Sequence, residues 1–325
     1  MLIDSFNRVH DYLRISLTDT CNLRCTYCDP ADFEEHHFSR TRMTAEEIDT
    51  IAGLFVQQGI KKIRITGGEP LIRKDAKEIL RRLAKYPVTL ALTTNGVFVH
   101  EHIDTFKEVG LRSVNVSLDS LKKETFLAIA KRNEFERVYD NIRLLLKEDF
   151  HVKVNMVVMN GVNTNEICDF IEWTKDAPVH IRFIEFMPFP GNRWDEEKVF
   201  SYVQILGAIA ERYSFEKLPD DKNDTAKKYH VPGHRGTFAV ISTMTEPFCS
   251  TCNRLRLTTD GKMRNCLFSK TETDLLTPLR NGMDILPLIK QCVQDKFEML
   301  GGNTTQYWAI EETTSHRRSM MGIGG

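Results

Sequence analysis

Residues 21–28 read CNLRCTYC and place three cysteines, Cys21, Cys25 and Cys28, within eight residues with the spacing C-x3-C-x2-C. The segment follows an apolar run at residues 12–17 that is typical of a β-strand. Structural zinc sites and most iron–sulfur clusters take four protein ligands, so three thiolates would leave one iron of a cubane open to a small ligand. The spacing therefore favours an iron–sulfur cluster, with half of a zinc site or clustered core cysteines as the alternative.

The composition is that of an ordinary globular protein. The chain has 325 residues and a formal net charge of −1, so no whole-protein field attracts nucleic acid or a membrane. The first residues show no signal-peptide pattern, and no apolar run reaches the length of a membrane span. Eight cysteines without a secretory signal indicate metal or redox use in a reducing compartment. We therefore expect a cytoplasmic protein with neither a nucleic-acid nor a membrane partner.

Strand-like and helix-like patterns alternate through the first 190 residues. Predicted strands alternate with helices, which favours a parallel sheet with helical crossovers; the strands are residues 12–17, 62–66, 88–93, 113–118, 152–157 and 179–186. Six units followed by a change of pattern predict an incomplete (β/α)6 TIM-like barrel rather than a closed one. We assign residues 1–192 to this barrel. Residues 193–325, where the alternation stops, are then a C-terminal region that closes the open side.

Each predicted strand has one apolar and one polar face. In a barrel wrapped by helices the apolar face meets the helices, so the polar face lines the lumen. Four of the lumen positions are cationic: Arg14, Arg64, Lys153 and Arg182. Buried cations are costly unless an anion is present, and guanidinium groups match phosphate oxygens, so we predict a polyphosphate ligand. An antiparallel sheet with a solvated face, or internal ion pairs, would be the alternatives.

Three more cysteines lie in one later segment with the spacing C-x2-C-x13-C: Cys249, Cys252 and Cys266. The pair Asp260-Gly261 is a hairpin signal that would bring the third cysteine back to the first two. Arg254 and Arg256 alternate on a strand-like run, so both should point to the same side. A second cluster with an open iron is one interpretation. A zinc ribbon completed by His230 or His234 is the other.

The first motif, with Tyr27 just before its last cysteine, resembles the radical S-adenosylmethionine (SAM) superfamily. In that superfamily three cysteines hold a 4Fe-4S cluster whose open iron binds SAM. Gly68, in the run Gly67-Gly68-Glu69-Pro70 after the second strand, resembles the position that contacts the amino group of SAM. The resemblance implies that Tyr27, Ser117 and Met187 also contact SAM.

The run Cys252-Asn253-Arg254-Leu255-Arg256, the two cysteine groups and the terminal Gly324-Gly325 resemble the GTP-cyclising family of molybdenum-cofactor biosynthesis. The resemblance implies two 4Fe-4S clusters, the second holding the guanine of GTP. An adenosyl radical would abstract hydrogen from C3′ of GTP, and the C3′ radical would add to guanine C8 to give 3′,8-cyclo-7,8-dihydro-GTP. The implied catalytic residues are Arg254, Arg256, Gly324 and Gly325. The implied GTP-binding residues are Arg14, Arg64, Thr93, Lys153, Arg182, Arg254 and Arg256.

The same resemblance implies three protein partners: an electron donor, a downstream pterin-forming enzyme and a second copy of the chain in a homodimer. Two alternatives remain at this point. One is a different radical SAM enzyme with an auxiliary cluster, acting on a peptide, which would not need four cations in the lumen. The other is a protein without this activity, either an iron–sulfur electron carrier or a zinc-stabilised nucleic-acid module.

Overall fold

A computed structural model describes residues 1–28, 41–189, 192–303 and 318–324. The described strands are β1 (Tyr12–Ser16), β2 (Lys62–Thr66), β3 (Thr89–Thr94), β4 (Ser113–Ser117), β5 (His151–Val158), β6 (His180–Glu185), β7 (Glu216–Lys217), β8 (Lys227–His230), β9 (Thr237–Ile241), β10 (Arg254–Leu257), β11 (Lys262–Arg264) and β12 (Thr273–Asp274). All of them belong to one sheet.

The described helices are α1 (Ala45–Gln57), α2 (Ala76–Ala84), α3 (Ile103–Glu108), α4 (Lys123–Ala130), α5 (Phe135–Lys147), α6 (Ile167–Asp176), α7 (Tyr202–Ala210), α8 (Leu276–Arg280), α9 (Leu286–Gln294) and α10 (Met320–Ile323). Helix α1 begins at Ala45 because Thr44 and Glu47 form a capping box just before it. None of the described helices is long and apolar enough to cross a membrane.

The sheet order is β12-β11-β10-β1-β2-β3-β4-β5-β6-β9-β8-β7. The six predicted strands are adjacent and parallel, which confirms the incomplete barrel. The described ladder ends at β12 and β7, so the sheet is open. Two further strands pair with the ends of this barrel sheet, and the sequence did not predict these pairings. Strand β10 pairs parallel to β1, and β9 pairs parallel to β6. The C-terminal region therefore extends both edges of the barrel sheet.

The parity of the strands is as predicted. Leu13 and Ile15 of β1 are fully buried and belong to the main hydrophobic core, as do the matching residues of the other barrel strands. This core lies between the sheet and the outer helices. The opposite face carries the polar side chains, so the fold turns the predicted cations inward. The division at residue 192 remains a prediction, because both segments contribute to the same sheet.

The predicted hairpin at residues 260–261 is present. Strands β10 and β11 pair antiparallel, with Arg256 opposite Arg264. Gly261 adopts φ +71°, the left-handed region that glycine tolerates best. The segment at residues 218–235 contains β8 and pairs through it with β9.

Candidate active site

The first cysteine loop follows β1 and is held against the end of α4 by its backbone. The amide of Arg24 donates to the carbonyl oxygen of Ala130, and the amide of Thr26 donates to that of Ile129, each at 3.0 Å. These bonds fix the loop between its first and last cysteines. The loop thus lies at the carboxyl end of the parallel strands, where barrel active sites form.

The first three cysteines influence one another electrostatically. Burial, then the charges of Asp119, Cys28 and Cys21, raise the pKa of Cys25 well above its usual range. Three thiolates at this place therefore need a shared positive centre, which the irons of a cluster supply, and the donor set fits a cluster. Within the described part of the chain, no three His, Cys, Asp or Glu side chains converge on the position of a single metal ion.

Tyr27 joins the cysteine loop to the strands. Its hydroxyl donates to Asp119 Oδ2 at 2.8 Å, and Asp119 Oδ1 accepts from the amide of Val157 at 2.9 Å. Burial raises the pKa of Asp119 to about 6. Asp119 was not predicted as a site residue, although this aspartate follows β4 at the active-site end of the barrel. It holds the predicted SAM-contacting tyrosine in place.

Gly68 lies in close contact with the segment that leads into the loop. Its amide donates to the carbonyl oxygen of Thr18 at 2.6 Å. A Cβ atom at Gly68 would lie 2.3 Å from the carbonyl oxygen of Thr20, the residue before Cys21. Only a glycine lets the two backbones approach so closely.

Substituting Gly68→Ala should therefore displace the turn before Cys21. We expect reductive cleavage of SAM to fall by roughly 10–100-fold, as for loss of a group that orients a metal ligand. The measurement is the rate of 5′-deoxyadenosine release under a strong reductant. Gly207→Ala is the matched control, because a Cβ atom there meets nothing within 4 Å. Unchanged release of 5′-deoxyadenosine by Gly68→Ala would show that the close approach of Gly68 to the Thr20 backbone is not needed.

Glu69 orders the same end of the barrel. It is completely buried and accepts from Thr94 Oγ1 at 2.8 Å and from the amide of Asn95 at 2.7 Å. Burial raises the pKa of Glu69 to about 7. Asn95 Nδ2 donates onward to Asn22 Oδ1 at 2.7 Å. The glycine-rich turn, β3 and the cysteine loop are thereby joined in one hydrogen-bonded network.

Three arginines lie side by side across three strands of the lumen face. The register pairs Arg256 with Arg14 and Arg14 with Arg64. Arg64 donates to the carbonyl oxygen of Leu92 at 2.7 Å and to Thr93 Oγ1 at 3.4 Å, which places the predicted Thr93 within the same group. Burial and the charge of Arg64 lower the pKa of Arg14 to about 10. This density of positive charge favours a polyanionic ligand.

The other two predicted cations lie on the far side of the lumen. Burial, then the charges of Arg182 and Arg64, lower the pKa of Lys153 to about 7. Burial and Arg64 also lower the pKa of Arg182 to about 10. Among the described residues, Arg182 Nε, Asn115 Oδ1 and Asn155 Oδ1 are buried without a hydrogen-bond partner. Unsatisfied polar atoms in one lumen fit a polar ligand that is bound there.

Sequence reasoning missed three residues of this lumen. Lys62 shares the parity of Arg64, and its ammonium lies 4.9 Å from the Tyr12 ring centroid. Burial raises the pKa of Tyr12, but the charges of Arg64, Arg14 and Lys62 outweigh it and bring the pKa to about 7. Asp224 interacts electrostatically with Lys153 and Arg182. Strand parity would have predicted Lys62 and Tyr12, whereas Asp224 lies in the loop between β7 and β8, where no such pattern exists.

The hairpin brings the second cysteine group together. Cys249 and Cys266 both pack against Phe268 and Leu300. Arg254 Nη2 donates to Cys252 Sγ at 3.3 Å. Burial raises the pKa of Cys252, but the charges of Arg254 and Lys296 outweigh it and lower the pKa to about 6. A stabilised thiolate beside two others is a donor set that fits an iron centre.

The histidines considered for a zinc ribbon are not at this site. His230 lies on β8, beyond β9 on the opposite edge of the sheet from β10. His230 Nε2 pairs with the carbonyl oxygen of His234, and His234 Nδ1 pairs with Thr174 Oγ1 of α6. Both side chains thus belong to the packing around α6, and the version of the zinc ribbon that used them is wrong.

The segment after β6 links the two cysteine groups. Met187 packs in the cluster that contains Cys249 and Cys266. Asn192 Nδ2 donates to the carbonyl oxygen of Met187 at 2.9 Å and to that of Tyr27 at 3.4 Å. The segment after β6 therefore contacts both sites at once. Ser117, the remaining residue expected to contact SAM, ends β4 opposite Asn155 of β5 on the lumen face.

The C-terminal segment enters the lumen. Arg256 Nη1 donates to the carbonyl oxygen of Gly324 at 2.5 Å. A Cβ atom at Gly324 would lie 2.8 Å from Thr66 Cγ2 and 3.1 Å from Ser16 Cβ, both on the lumen face. Arg318 holds the segment by ion pairs with Asp260 and Glu272. Gly325, the last predicted catalytic residue, lies outside the described residues.

Comparison with known proteins agrees with this geometry. The family model of the radical SAM superfamily matches residues 15–174, and that of Molybdenum Cofactor Synthesis C matches residues 179–300. A protein of Arabidopsis thaliana named GTP 3′,8-cyclase, mitochondrial, is 45% identical over 332 residues, covering 100% of this chain and 84% of that protein. The chain belongs to the GTP 3′,8-cyclase family of the radical SAM superfamily. Radical SAM proteins use SAM and an iron–sulfur cluster, and this chain accordingly takes both.

This chain covers different shares of the proteins that it resembles. The protein of that name from Rhodopirellula baltica is 38% identical, covering 100% of this chain and 92% of its own. Molybdenum cofactor biosynthesis protein 1 of Drosophila melanogaster is 44% identical over 91% of this chain, which spans only 54% of that protein. Streptococcus suis SuiB shares the fold, with a TM-score of 0.63, 14% identity and coverage of 91% and 68%.

Proposed function

We propose that this chain converts GTP to 3′,8-cyclo-7,8-dihydro-GTP by radical SAM chemistry in molybdenum-cofactor biosynthesis. The observation that carries the proposal is a lumen lined by buried and half-buried cations, with one group of three cysteines after β1 and the other around β10. Arg14, Arg64 and Arg256 are neighbours in the strand register. The charges of Lys153 and Arg182 each interact with the charge of Arg64. A peptide substrate gives no reason for this charge, whereas a triphosphate does.

At the first site, Cys21, Cys25 and Cys28 would hold a 4Fe-4S cluster. When bound, the cluster would supply the electron that cleaves SAM to a 5′-deoxyadenosyl radical, and this radical would abstract hydrogen from C3′ of GTP. Tyr27 and Gly68 position the loop, as their contacts with Asp119 and Thr18 show, and would border the bound SAM. Ser117 and Met187 are proposed to complete this subsite. A closed, fixed geometry limits stray reactions of the radical.

The triphosphate would lie among the lumen cations: Arg14, Lys62, Arg64, Lys153 and Arg182. Thr93 would donate its hydroxyl to the same ligand. The phosphate charge would relieve the mutual repulsion that lowers the pKa of Lys153 and Arg182. Binding would therefore raise these pKa values and restore full positive charge to the lumen.

At the second site, Cys249, Cys252 and Cys266 would hold a second 4Fe-4S cluster that orients the guanine. Arg254 contacts Cys252, and Arg256 contacts Gly324, so both arginines lie between the cluster and the C-terminal segment. We assign to them the orientation of the guanine. We also assign to them delivery of the proton that accompanies one-electron reduction, by the external reductant, of the substrate radical left after C3′ has bonded to C8. Gly324 and Gly325 would complete the wall around the ribose.

The decisive experiment is anaerobic incubation of reconstituted protein with GTP, SAM and dithionite, followed by mass analysis of the nucleotide. The proposal predicts an isomer of GTP formed together with 5′-deoxyadenosine. It also predicts about eight irons per chain, the content of two cubanes. Release of 5′-deoxyadenosine without any change in GTP, in a protein that carries both clusters, would contradict the proposed substrate.

The C-terminal segment gives a separate prediction. Gly324→Val combines a side chain 2.8 Å from Thr66 Cγ2 with a backbone φ of +73°, so it should expel the segment from the lumen. We expect cyclised product to fall at least roughly tenfold while SAM cleavage continues, since Gly324 lies against Arg256, Thr66 and Ser16 and none of these is a cluster ligand. The measurement is the ratio of product to 5′-deoxyadenosine, with Gly207→Ala as the control. An unchanged ratio would remove the segment from the mechanism.

The remaining assignments are proposals of the same kind. An electron-donor protein would reduce the first cluster, and a pterin-forming enzyme would consume the product. A homodimer and a cytoplasmic location remain predictions, and the Arabidopsis thaliana relative carries the word mitochondrial in its name. The alternative of a non-enzymatic electron carrier does not account for the cationic lumen.

A further inference from the structure

Lys296 is a buried cation directly behind the second cysteine group. It comes two residues after α9 and is only 4% exposed. Its ammonium donates to Cys252 Sγ at 3.5 Å and to the carbonyl oxygen of Arg254 at 3.1 Å. It therefore touches one proposed cluster ligand and the backbone that presents a proposed substrate-binding arginine.

The counter-charge of Lys296 is sulfur rather than carboxylate. Among the described residues, no carboxylate lies within ion-pair distance of its ammonium. The acid on the neighbouring N-terminal segment, Asp4, already pairs with Arg8 Nε at 2.6 Å and with His10 Nε2 at 3.0 Å. The group of acidic character that its ammonium contacts is the Cys252 thiol, at 3.5 Å. A buried ammonium without a carboxylate is costly, so this one requires the negative charge of the thiolates.

We propose that Lys296 is a positioning residue that sets the reduction potential of the second cluster, through its fixed charge and its hydrogen bond to Cys252. This rests on the proposed function, in which Cys249, Cys252 and Cys266 hold a four-iron cluster. The assignment goes beyond the resemblance, which concerns the ligands and the arginines on β10.

The physical reason is the charge that reduction adds. One electron taken from a reductant makes a thiolate-ligated cluster more negative, while the atoms of the site are unchanged. A cation in a poorly solvated position stabilises that added charge more than it would in water. Hydrogen bonds to the sulfurs and the net charge nearby are also the features that tune such potentials. Lys296 provides both, so it should raise the potential of the second cluster.

The first cysteine group offers a contrast within the same chain. Cys21 Sγ accepts from the amide of Leu23 at 3.4 Å and from Asn95 Nδ2 at 3.6 Å, both neutral donors. The sulfur at the first site is therefore contacted by neutral donors, whereas Cys252 Sγ at the second site is contacted by two cationic ones, Arg254 and Lys296. The second cluster should be the easier of the two to reduce in the absence of SAM and GTP.

The test is a redox titration followed by electron paramagnetic resonance on reconstituted full-length chain. The second-site signal is assigned as the one that persists in Cys21→Ala. Lys296→Met removes the charge, Lys296→Arg keeps it, and Lys290→Met removes an exposed charge from α9 as the matched control. We expect the second-site potential to fall in Lys296→Met and to stay near the wild-type value in Lys296→Arg and Lys290→Met.

The outcomes separate the two proposals. Wild-type protein with about four irons would overturn the proposed function itself, and this inference with it. Wild-type protein with about eight irons, but no shift in Lys296→Met, would overturn the inference alone. Lys296→Met could lose its second cluster while Lys296→Arg keeps it. Retention of the second cluster then replaces its reduction potential as the readout, and this outcome supports the role of the charge of Lys296. Equal loss in both variants would reduce Lys296 to a packing residue and overturn it.

Discussion

Cys21→Ala and Cys266→Ala should abolish GTP cyclisation for different reasons. Cys21→Ala removes a ligand of the first cluster, so we expect neither 5′-deoxyadenosine nor cyclised product. Cys266→Ala removes a ligand of the second cluster, so SAM should still be cleaved while the guanine is no longer held. In both variants the loss of product should exceed the roughly 10–100-fold that loss of an outer-shell partner costs. The measurements are iron content, 5′-deoxyadenosine and cyclised nucleotide, taken on the same samples.

The chain provides a cysteine control for both variants. Cys168 lies on α6, and its Sγ donates to the carbonyl oxygen of Ala208 at 3.4 Å, in the outer helix layer. Cys168→Ala should retain about eight irons and full activity. Cyclised product from Cys266→Ala would show that the second site is not needed for the reaction. Loss of SAM cleavage in that variant would show instead that the two sites do not act separately.

Strand parity explains why much of the lumen was predictable. A period of two residues fixes which side chains share a face, so Arg14, Arg64, Lys153 and Arg182 could be placed together without coordinates. The same rule would have added Lys62, which was overlooked because it stands at the start of its strand. Local patterns were sufficient here because a barrel strand is buried on one face and polar on the other.

Contacts between distant segments were not predictable in the same way. Strand β10 pairs with β1 although about 240 residues separate them, and no local pattern specifies that neighbour. The partners of Lys296 and Asp224 likewise depend on this tertiary arrangement. The tail was expected in the site only through the resemblance, and its contact with Arg256 depends on where β10 lies. The face on which each strand side chain lies could therefore be predicted from the sequence, whereas the strands that pair at the edges of the sheet could not.

Arg182→Met should change binding and stability in opposite directions. Arg182 is half-buried in the lumen, and its buried Nε has no hydrogen-bond partner among the described residues. After burial, Arg64 is the cation that most lowers its pKa. Removing it should weaken GTP binding by about 2–5 kcal/mol, or roughly 30- to 5,000-fold, as for truncation of a buried charged partner. Without ligand, the loss of an uncompensated cation should raise the free energy of unfolding by about 1 kcal/mol, and Tm by ~2 °C.

Equilibrium binding of GTP and thermal unfolding with and without GTP measure both effects. Wild-type protein should gain Tm on adding GTP, because a ligand that binds only the folded state stabilises it, and Arg182→Met should gain much less. Arg143→Met is the control, since that side chain is 71% exposed and distant from the lumen face. Arg182→Lys should lie between the two, because it keeps the charge and loses the planar fork. A variant that loses stability without ligand while binding GTP normally would show that Arg182 is a structural residue, and the triphosphate would then have to be placed elsewhere.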